Sequence, residues 1–198
     1  MNPKSLYRAA LLECLSYVCL SDSAEARAAY RTYRQLAKKG CPDGWFGLGN
    51  ARQYGEGVKQ NLTKAEKYYR RAAKLGHAKA QESLGRLYDE GLGLPRNYTK
   101  AYKWYARAAL QADETACNNI GFLYYKGNGV RRSKKQAKKW YKLAARAGCI
   151  MALSNLGILY EDTGRLKKAV RYYRRAAEAG SKYAAKQLKR LDKKKSAQ

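Results

Sequence analysis

Small and apolar residues recur along the chain at helical spacing, with polar residues between them. One such set falls at positions i, i+4, i+7 and i+8, which share one face of an α-helix. Its members are Ala80, Leu84, Leu87 and Tyr88. The segment 101–109 has the same spacing, built from alanine and aromatic residues. The pattern therefore predicts short amphipathic helices and an all-α fold.

A second period of 36 residues relates these helices to one another. It places a glycine directly after Leu or Ile at Gly49, Gly85, Gly121 and Gly157. Columns of alanine and of tyrosine keep the same step, which shortens to 32 residues after the last of these glycines. Self-similarity at a fixed period indicates stacked supersecondary units. We therefore predict five helix-hairpin repeats, each with a first helix, a loop, a second helix and a tight turn, followed by a capping helix.

The register of the repeats predicts one repeat domain over residues 1–198. We expect a degenerate capping unit, three full repeats, a shortened repeat, a capping helix and a basic tail. In that order the boundaries are 1–40, 41–76, 77–112, 113–148, 149–180, 181–192 and 193–198. Tyrosine and tryptophan rings are expected to fill the gap between neighbouring repeats, since fixed alanine and glycine positions let the helices approach closely.

Residues with known capping preferences mark the ends of the second helices. Equivalent positions before these helices hold residues that favour N-caps, namely Asn61, Asn97 and Ser133. Glycines suited to a C-cap follow the second helices at Gly40, Gly76, Gly148 and Gly180, with Ala112 as the exception.

Gly-x-Gly triplets recur in register after three first helices, as in Gly55-Glu56-Gly57. Since a phosphate loop follows a strand and occurs once, we interpret these as loop glycines.

Three stretches carry a resemblance to a known family. They are 48-LGNARQYGEGVKQNLTKAEKYYRRAAKLG-76, 84-LGRLYDEGLGLPRNYTKAYKWYARAALQA-112 and 120-IGFLYYKGNGVRRSKKQAKKWYKLAARAG-148. All three resemble Sel1-like repeats, the 36-residue relatives of the tetratricopeptide repeat. The unit 156-LGILYEDTGRLKKAVRYYRRAAEAG-180 lacks the glycine loop and is more similar to a plain tetratricopeptide repeat. The resemblance implies a right-handed α-solenoid that binds partners and performs no chemistry of its own.

The inventory of reactive side chains argues against an enzyme. The chain has one histidine, His77, which lies in a variable turn with no second metal ligand in register. No set of nucleophile, base and acid recurs in a predicted cleft. We therefore expect no enzymatic activity, no cofactor and no metal site. No repeat has a cysteine at matching positions of its first and second helices. We therefore interpret the five cysteines as thiols in a reducing compartment. They are Cys14, Cys19, Cys41, Cys117 and Cys149.

The amino terminus leaves two alternatives for localisation. Basic residues precede a short apolar run, and Ala24-Glu25-Ala26 imitates a cleavage site, so residues 1–26 could be a signal peptide of an exported protein. Against this, Glu13 interrupts the apolar run and Leu12 keeps the register of the repeats. We expect a cytoplasmic protein whose first helix covers residues 5–20. No apolar run is long enough to span a membrane.

Charge is distributed unequally between the two helices of each repeat. The net charge is +27, and the second-helix segments hold 25 Lys and Arg against two acids. The first-helix segments hold five basic and seven acidic residues. In tetratricopeptide-like solenoids the first helices line the concave groove, so the resemblance implies a basic convex face and a mixed groove. On the convex face we single out the basic-face residues Lys134, Lys138, Lys142, Arg171 and Arg175.

The same register assigns residues to the groove. Exposed aromatic rings among polar neighbours are typical of a peptide-binding surface. We call the following the groove residues: Phe46, Asn50, Tyr54, Glu82, Arg86, Asp89, Asn118, Phe122, Tyr125 and Glu161.

Two functions are compatible with these surfaces. The first is a non-enzymatic interaction module, scaffold or adaptor that binds a peptide or protein segment in the groove. The alternative is binding of a polyanion, either nucleic acid or an acidic protein, through the basic face. An immunity or regulatory protein would use the same surface. The sequence leaves the identity of the partner and the oligomeric state open.

Overall fold

The computed structural model describes residues 23–196, and within this range the chain forms ten α-helices and no strand. The helices are α1 (Ala24–Lys38), α2 (Pro42–Tyr54), α3 (Leu62–Lys74), α4 (Ala78–Glu90), α5 (Tyr98–Ala109), α6 (Glu114–Lys126), α7 (Lys134–Arg146), α8 (Ile150–Glu161), α9 (Leu166–Glu178) and α10 (Lys182–Ser196). This confirms the predicted all-α fold. The first helix expected over residues 5–20, and the possible signal peptide, lie largely outside the described residues.

The helices fall into two compact units, one ending at Arg96 and the other beginning at Asn97. Within the first unit the consecutive pairs α1–α2, α2–α3 and α3–α4 pack together, and within the second unit the consecutive pairs from α5–α6 to α9–α10 do the same. Helices α2, α4, α6 and α8 are the first helices of their repeats, and α1, α3, α5, α7 and α9 are second helices. Helix α10 runs to Ser196, four residues past the predicted end, because the basic tail holds no helix-breaking residue.

The glycine and tyrosine columns of the sequence meet inside the hairpins. A Cβ atom added at Gly49 would lie 2.5 Å from the ring of Tyr69, and one at Gly121 would lie 2.6 Å from the ring of Tyr141. Both distances are too short for carbon atoms in contact, so only glycine fits below these rings. The same arrangement recurs at Gly157 and Tyr173. Each of these rings thus lies over the glycine of its own hairpin. Tyr141 also shares a core cluster with Leu153 and Leu156 of the next repeat, as expected for rings that fill the gap between repeats.

Side chains and turns cap the second helices as predicted. The side chains of Asn61, Asn97 and Ser133 accept hydrogen bonds from the backbone N–H groups three residues later. The four turn glycines have positive φ angles between 79° and 97°. Ala112 occupies the equivalent turn with φ 60°, and among the described residues it is the one non-glycine with positive φ.

The two glycines of each Gly-x-Gly loop have different roles. The first ends a first helix in the left-handed conformation, as Gly91 does at the end of α4. The second lies against the start of an earlier second helix, because a Cβ added at Gly93 would lie 2.5 Å from the Cβ of Leu62. These positions confirm that the triplets are structural loop glycines.

The interior is built from small and aromatic residues, and the described cysteines are free thiols. Cys117 and Cys149 are buried in one cluster that the side chain of Trp140 packs against. Burial raises the pKa of both thiols, which keeps them protonated and unreactive. Cys41 is half-buried. Among the described helices, none combines the length and apolar character that crossing a bilayer requires.

Candidate partner-binding surfaces

In the first unit, an exposed tyrosine and an arginine form the most accessible part of the predicted groove. Tyr54, the last residue of α2, is 54% exposed. Its hydroxyl accepts a hydrogen bond from Nη2 of Arg86 on α4, at 3.2 Å. Arg86 is half-buried, and nearby Tyr54 and Glu82 help to raise its pKa against the opposing effect of burial. An aromatic ring and a permanent cation therefore lie side by side on this surface.

Two groove residues of α2 are engaged with neighbouring helices. The Tyr69 hydroxyl lies 2.7 Å from Oδ1 of Asn50 and 2.7 Å from Oε1 of Gln53. A hydroxyl donates one proton only, so one of the two amides must turn its nitrogen toward this oxygen. Phe46 stacks on the ring of His77 with centroids 4.5 Å apart. Phe46 was expected to be exposed, but it is half-buried because of this stacking.

The acidic groove residues of α4 are less accessible than the sequence suggested. Glu82 is buried, with 9% of its surface exposed, and Asp89 is half-buried. Both take part in interactions within the protein. A ligand of the first unit therefore meets Tyr54 and Arg86 before it meets these carboxylates.

In the second unit, Phe122 is the groove residue most open to solvent, with 39% of its surface exposed. The ammonium group of Lys126 lies 5.7 Å from the ring centroid of Phe122 and 5.7 Å from that of Tyr125. Such distances allow cation–π attraction with both rings. An exposed aromatic beside a cation therefore occurs here as it does in the first unit.

The other groove residues of the second unit have internal partners. Asn118 is buried and its Oδ1 accepts a hydrogen bond from Asn155 at 2.9 Å. Tyr125, expected to be exposed, is half-buried and donates its hydroxyl proton to Asp162. Burial and this hydrogen bond raise the pKa of Tyr125 to about 12. A ligand would have to compete with these contacts.

Glu161 is likewise held from two sides. Its carboxylate accepts a hydrogen bond from the Tyr173 hydroxyl at 3.1 Å and forms an ion pair with Arg190 of α10. The partner Arg190 lies 29 residues away and outside the repeat columns, so no pattern in the sequence predicts this pair. Glu161 therefore joins α8 to α9 and α10.

The basic-face residues lie on α7 and α9 of the second unit and differ in exposure. Lys142, Arg171 and Arg175 are exposed, while Lys134 and Lys138 are half-buried. Nζ of Lys134 donates a hydrogen bond to the backbone oxygen of Asp162 at 3.2 Å. Their spacing at steps of four residues predicts that they lie on the exposed face of the second helices, away from the aromatic rings.

That separation fails at one residue, because the Arg175 guanidinium carbon lies 5.8 Å from the ring centroid of Tyr172. Lys142 and Arg175 also line a small cavity together with Tyr172 and a further cation, Arg146. The sequence reasoning did not single out Arg146 or Tyr172. Their only sequence signal is that both lie one helical turn from a basic-face residue.

His77 has a structural role. Its Nδ1 accepts a hydrogen bond from the backbone N–H of Ala80 and caps α4, and its Nε2 lies 3.0 Å from Oδ1 of Asp43. Burial lowers the pKa of His77, although Asp43 opposes the shift. Asp113 caps α6 in the equivalent way. Within residues 23–196, no three His, Cys, Asp or Glu side chains converge on a position suited to a metal ion.

Comparison with known proteins identifies the repeats. The model of the Sel1 repeat matches residues 46–77, 78–113 and 115–149, and that of the tetratricopeptide repeat matches residues 149–180. The chain belongs to the Sel1 repeat family. This confirms the resemblance of the three glycine-loop units, and the more tetratricopeptide-like character of the fourth. No curated protein matches the chain.

Solved structures of Sel1 repeat proteins share this fold. A Sel1 repeat protein from Oxalobacter formigenes is 34% identical with a TM-score of 0.77, and the match covers 82% of this chain and 66% of that one. A protective antigen of uropathogenic Escherichia coli, c5321, is also 34% identical with a TM-score of 0.75, over 80% of this chain and 35% of that one. The Sel1 repeat chain thus spans about two thirds of the first protein and one third of the second.

A third structure supports the fold alone. The immunity protein Pa5087 from Pseudomonas aeruginosa is 21% identical with a TM-score of 0.62, and the match covers 93% of this chain and 69% of that one.

Sel1 and tetratricopeptide repeats generally mediate protein–protein interactions and are generally non-catalytic scaffolds. The comparisons therefore support an interaction protein as the broad class.

Proposed function

We propose that this Sel1 repeat chain is a non-catalytic interaction module that binds a protein or peptide segment on its first helices. The observation that carries the proposal is the pairing of an exposed aromatic ring with a cation in each unit. Tyr54 lies beside Arg86 in the first unit, and Phe122 lies beside Lys126 in the second. Aromatic and arginine side chains contribute a large share of the binding energy at protein interfaces.

Exposure decides which groove residues act as anchors. Tyr54 and Phe122 present 54% and 39% of their surface to solvent, so a partner can cover them without displacing an internal contact. Tyr125 and Glu161 are bonded to Asp162 and to Tyr173, respectively. We assign the anchoring role to the two exposed rings and a supporting role to the bonded residues.

The test replaces both anchors at once. Tyr54→Ala combined with Phe122→Ala removes two exposed rings, so helicity should not change. A matched control is Leu75→Ala with Leu143→Ala, which removes two apolar side chains of similar exposure, 46% and 47%, at or next to the second helices.

Tagged forms of the wild type and both variants are used to enrich partners from the native cell, with quantitative mass spectrometry as the measurement. We expect a protein enriched by the wild type and by the control pair to be lost with the anchor pair. Equal enrichment by all three forms would contradict the assignment of the anchors. Loss of helicity in the anchor pair would show that the rings belong to the core.

A second candidate function is polyanion binding through the basic face. It is favoured by the cations of α7 and α9, because α7 contains no acidic residue and α9 contains only Glu178. In the first unit, by contrast, Glu66 of α3 pairs with Arg70. Binding of nucleic acid releases counterions, so the affinity must fall steeply as salt rises. A gel-shift titration at two salt concentrations tests this function, and a flat salt response would contradict it.

A further inference from the structure

The second unit contains a cavity between α7, α8 and α9 with a volume of about 160 Å³. Three cations and one aromatic ring form most of its lining. The lining residues are Lys142, Ala145, Arg146, Leu156, Tyr172 and Arg175. No acidic side chain belongs to this lining, so the cavity is positively charged.

The three cations have no carboxylate partner in the described part of the chain. Lys142, Arg146 and Arg175 are all exposed, and none of them forms an ion pair among residues 23–196. Like charges around one cavity repel one another, and an anion placed between them converts this repulsion into attraction. The charge of the lining therefore favours an anionic ligand.

Part of the lining is held in place before a ligand arrives. The Arg175 guanidinium lies over the ring of Tyr172, and that ring stacks on Tyr160 with centroids 5.3 Å apart and planes at 15°. Tyr160 is 5% exposed, so the stack is anchored in the core. Lys142 and Arg146 are one helical turn apart on α7, which directs both side chains to the same side of that helix. Binding therefore has to order mainly these two exposed side chains.

The size of the cavity selects among anions. Pockets for drug-sized ligands have volumes of about 300–1,000 Å³, so the 160 Å³ of this open cavity cannot enclose a whole nucleotide. A single oxyanion group is small enough to enter it. Arginine matches the oxygens of a phosphate in a bidentate manner, and lysine adds a point charge. The buried side chain of Leu156 forms the apolar floor of the cavity.

We propose that this cavity holds one backbone phosphate of a nucleic acid strand; this proposal rests on the second candidate function. A nucleic acid is favoured over an isolated phosphorylated side chain because the cations continue beyond the cavity on both helices. Lys134 and Lys138 extend the line on α7 at steps of four residues, and Arg171 extends it on α9. A positively charged track along two helices is suited to following the backbone of a single-stranded nucleic acid.

The experiment compares two triple variants with equal changes in charge. The cavity variant is Lys142→Gln with Arg146→Gln and Arg175→Gln. The control variant is Lys135→Gln with Lys139→Gln and Arg174→Gln, which removes three exposed cations from the same two helices outside the cavity. Binding of a fluorescent single-stranded oligothymidylate is measured by anisotropy over a salt series, and circular dichroism checks that both variants keep their helicity.

We expect the cavity variant to lose affinity by about tenfold or more, and the control variant by less than about threefold. The fall of log K with log salt should become less steep by about 0.7 in the cavity variant, since one contact to a single-stranded phosphate is removed. Equal losses in both variants would overturn the cavity as a site while leaving polyanion binding intact.

Two further outcomes would overturn the proposal in different ways. If a phosphoserine peptide displaces the oligothymidylate, and its own binding is lost in the cavity variant alone, the ligand is a phosphorylated protein. If the wild type fails to bind the oligothymidylate even at ~50 mM salt, where electrostatic binding is strong, then both the cavity proposal and the second candidate function are wrong.

Discussion

Ala112 allows a sharp test of how the turns between repeats are stabilised. It holds φ 60° in a turn where four other repeats have glycine. The backbone bonds are those of the equivalent turn at Gly148: the N–H of Ala112 bonds to the oxygen of Ala109 at 3.0 Å, and the N–H of Gly148 bonds to the oxygen of Ala145 at 3.4 Å. The two turns therefore share one hydrogen-bond pattern and differ at the residue with positive φ.

The expected change in the free energy of unfolding is the difference between two opposing effects. A left-handed conformation costs an alanine about 1–2 kcal/mol relative to glycine. Glycine loses about 0.4–1 kcal/mol more conformational free energy than alanine on folding. We therefore expect Ala112→Gly to stabilise the protein by about 1 kcal/mol. Gly148→Ala should destabilise it by a similar amount through backbone strain alone, because an added Cβ would meet no atom within 4 Å.

Thermal unfolding followed by far-UV circular dichroism measures both effects. For a chain of this length, 1 kcal/mol corresponds to a change in Tm of about 2–4 °C. Ala147→Gly is the control, since Ala147 precedes Gly148 with a φ of −80°; glycine should lower the Tm there. A decrease in Tm for Ala112→Gly, or no change for Gly148→Ala, would refute the explanation by positive φ.

Three further predictions follow from individual contacts. Gly121→Ala should lower the free energy of unfolding by about 1–3 kcal/mol, because its Cβ would lie 2.6 Å from the ring of Tyr141; a neutral result in chemical denaturation would contradict the close contact. Asn97→Ala should cost about 1 kcal/mol, while Arg165→Ala should cost little because Arg165 makes no side-chain cap bond; equal costs would contradict the capping role. Burial lowers the pKa of His77 below 6.5, so the unfolded state takes up the proton first and the free energy of unfolding falls as pH drops below about 6.5. His77→Asn should remove that part of the pH dependence between pH 7.5 and 5.5 while keeping a cap, and an unchanged pH profile would contradict it.

The sequence predicted the features that the repeat itself imposes. Gly121 and Tyr141 recur because a ring lies over a glycine in this hairpin and again at Gly49 and Gly157. Asn97 recurs because a second helix needs a partner for its first N–H groups. These constraints are local and identical in each repeat, so the period of the sequence displays them. The helices, turns and loops were predicted for this reason.

The surfaces were predicted less completely because their contacts cross from one repeat to the next. The pair of Glu161 with Arg190, and the bond from Tyr125 to Asp162, join residues from different columns. The position of a residue relative to the Leu-Gly pair of its repeat predicts which face of the helix it occupies. It does not predict which residue of another repeat contacts it. Sequence reasoning therefore placed Tyr54 and Phe122 correctly at the surface and overestimated the exposure of Phe46 and Tyr125. The cytoplasmic location stays a prediction.

The groove and the basic face differ in whether their residues already have partners inside the protein, and this changes the binding energy that each surface can provide. Several groove residues of the second unit already have partners, so a ligand that engages Tyr125 or Glu161 must replace an existing hydrogen bond and gains only the difference. The cations of the cavity have no carboxylate partner within residues 23–196, so an anion there replaces no ion pair and has to offset only the dehydration of both partners. The groove therefore depends on its exposed aromatic rings, whose contribution changes little with salt, and the cavity depends on charge, whose contribution is screened. Raising the salt concentration should consequently weaken a ligand of the basic face far more than a ligand of the first helices, even if both bind the same molecule.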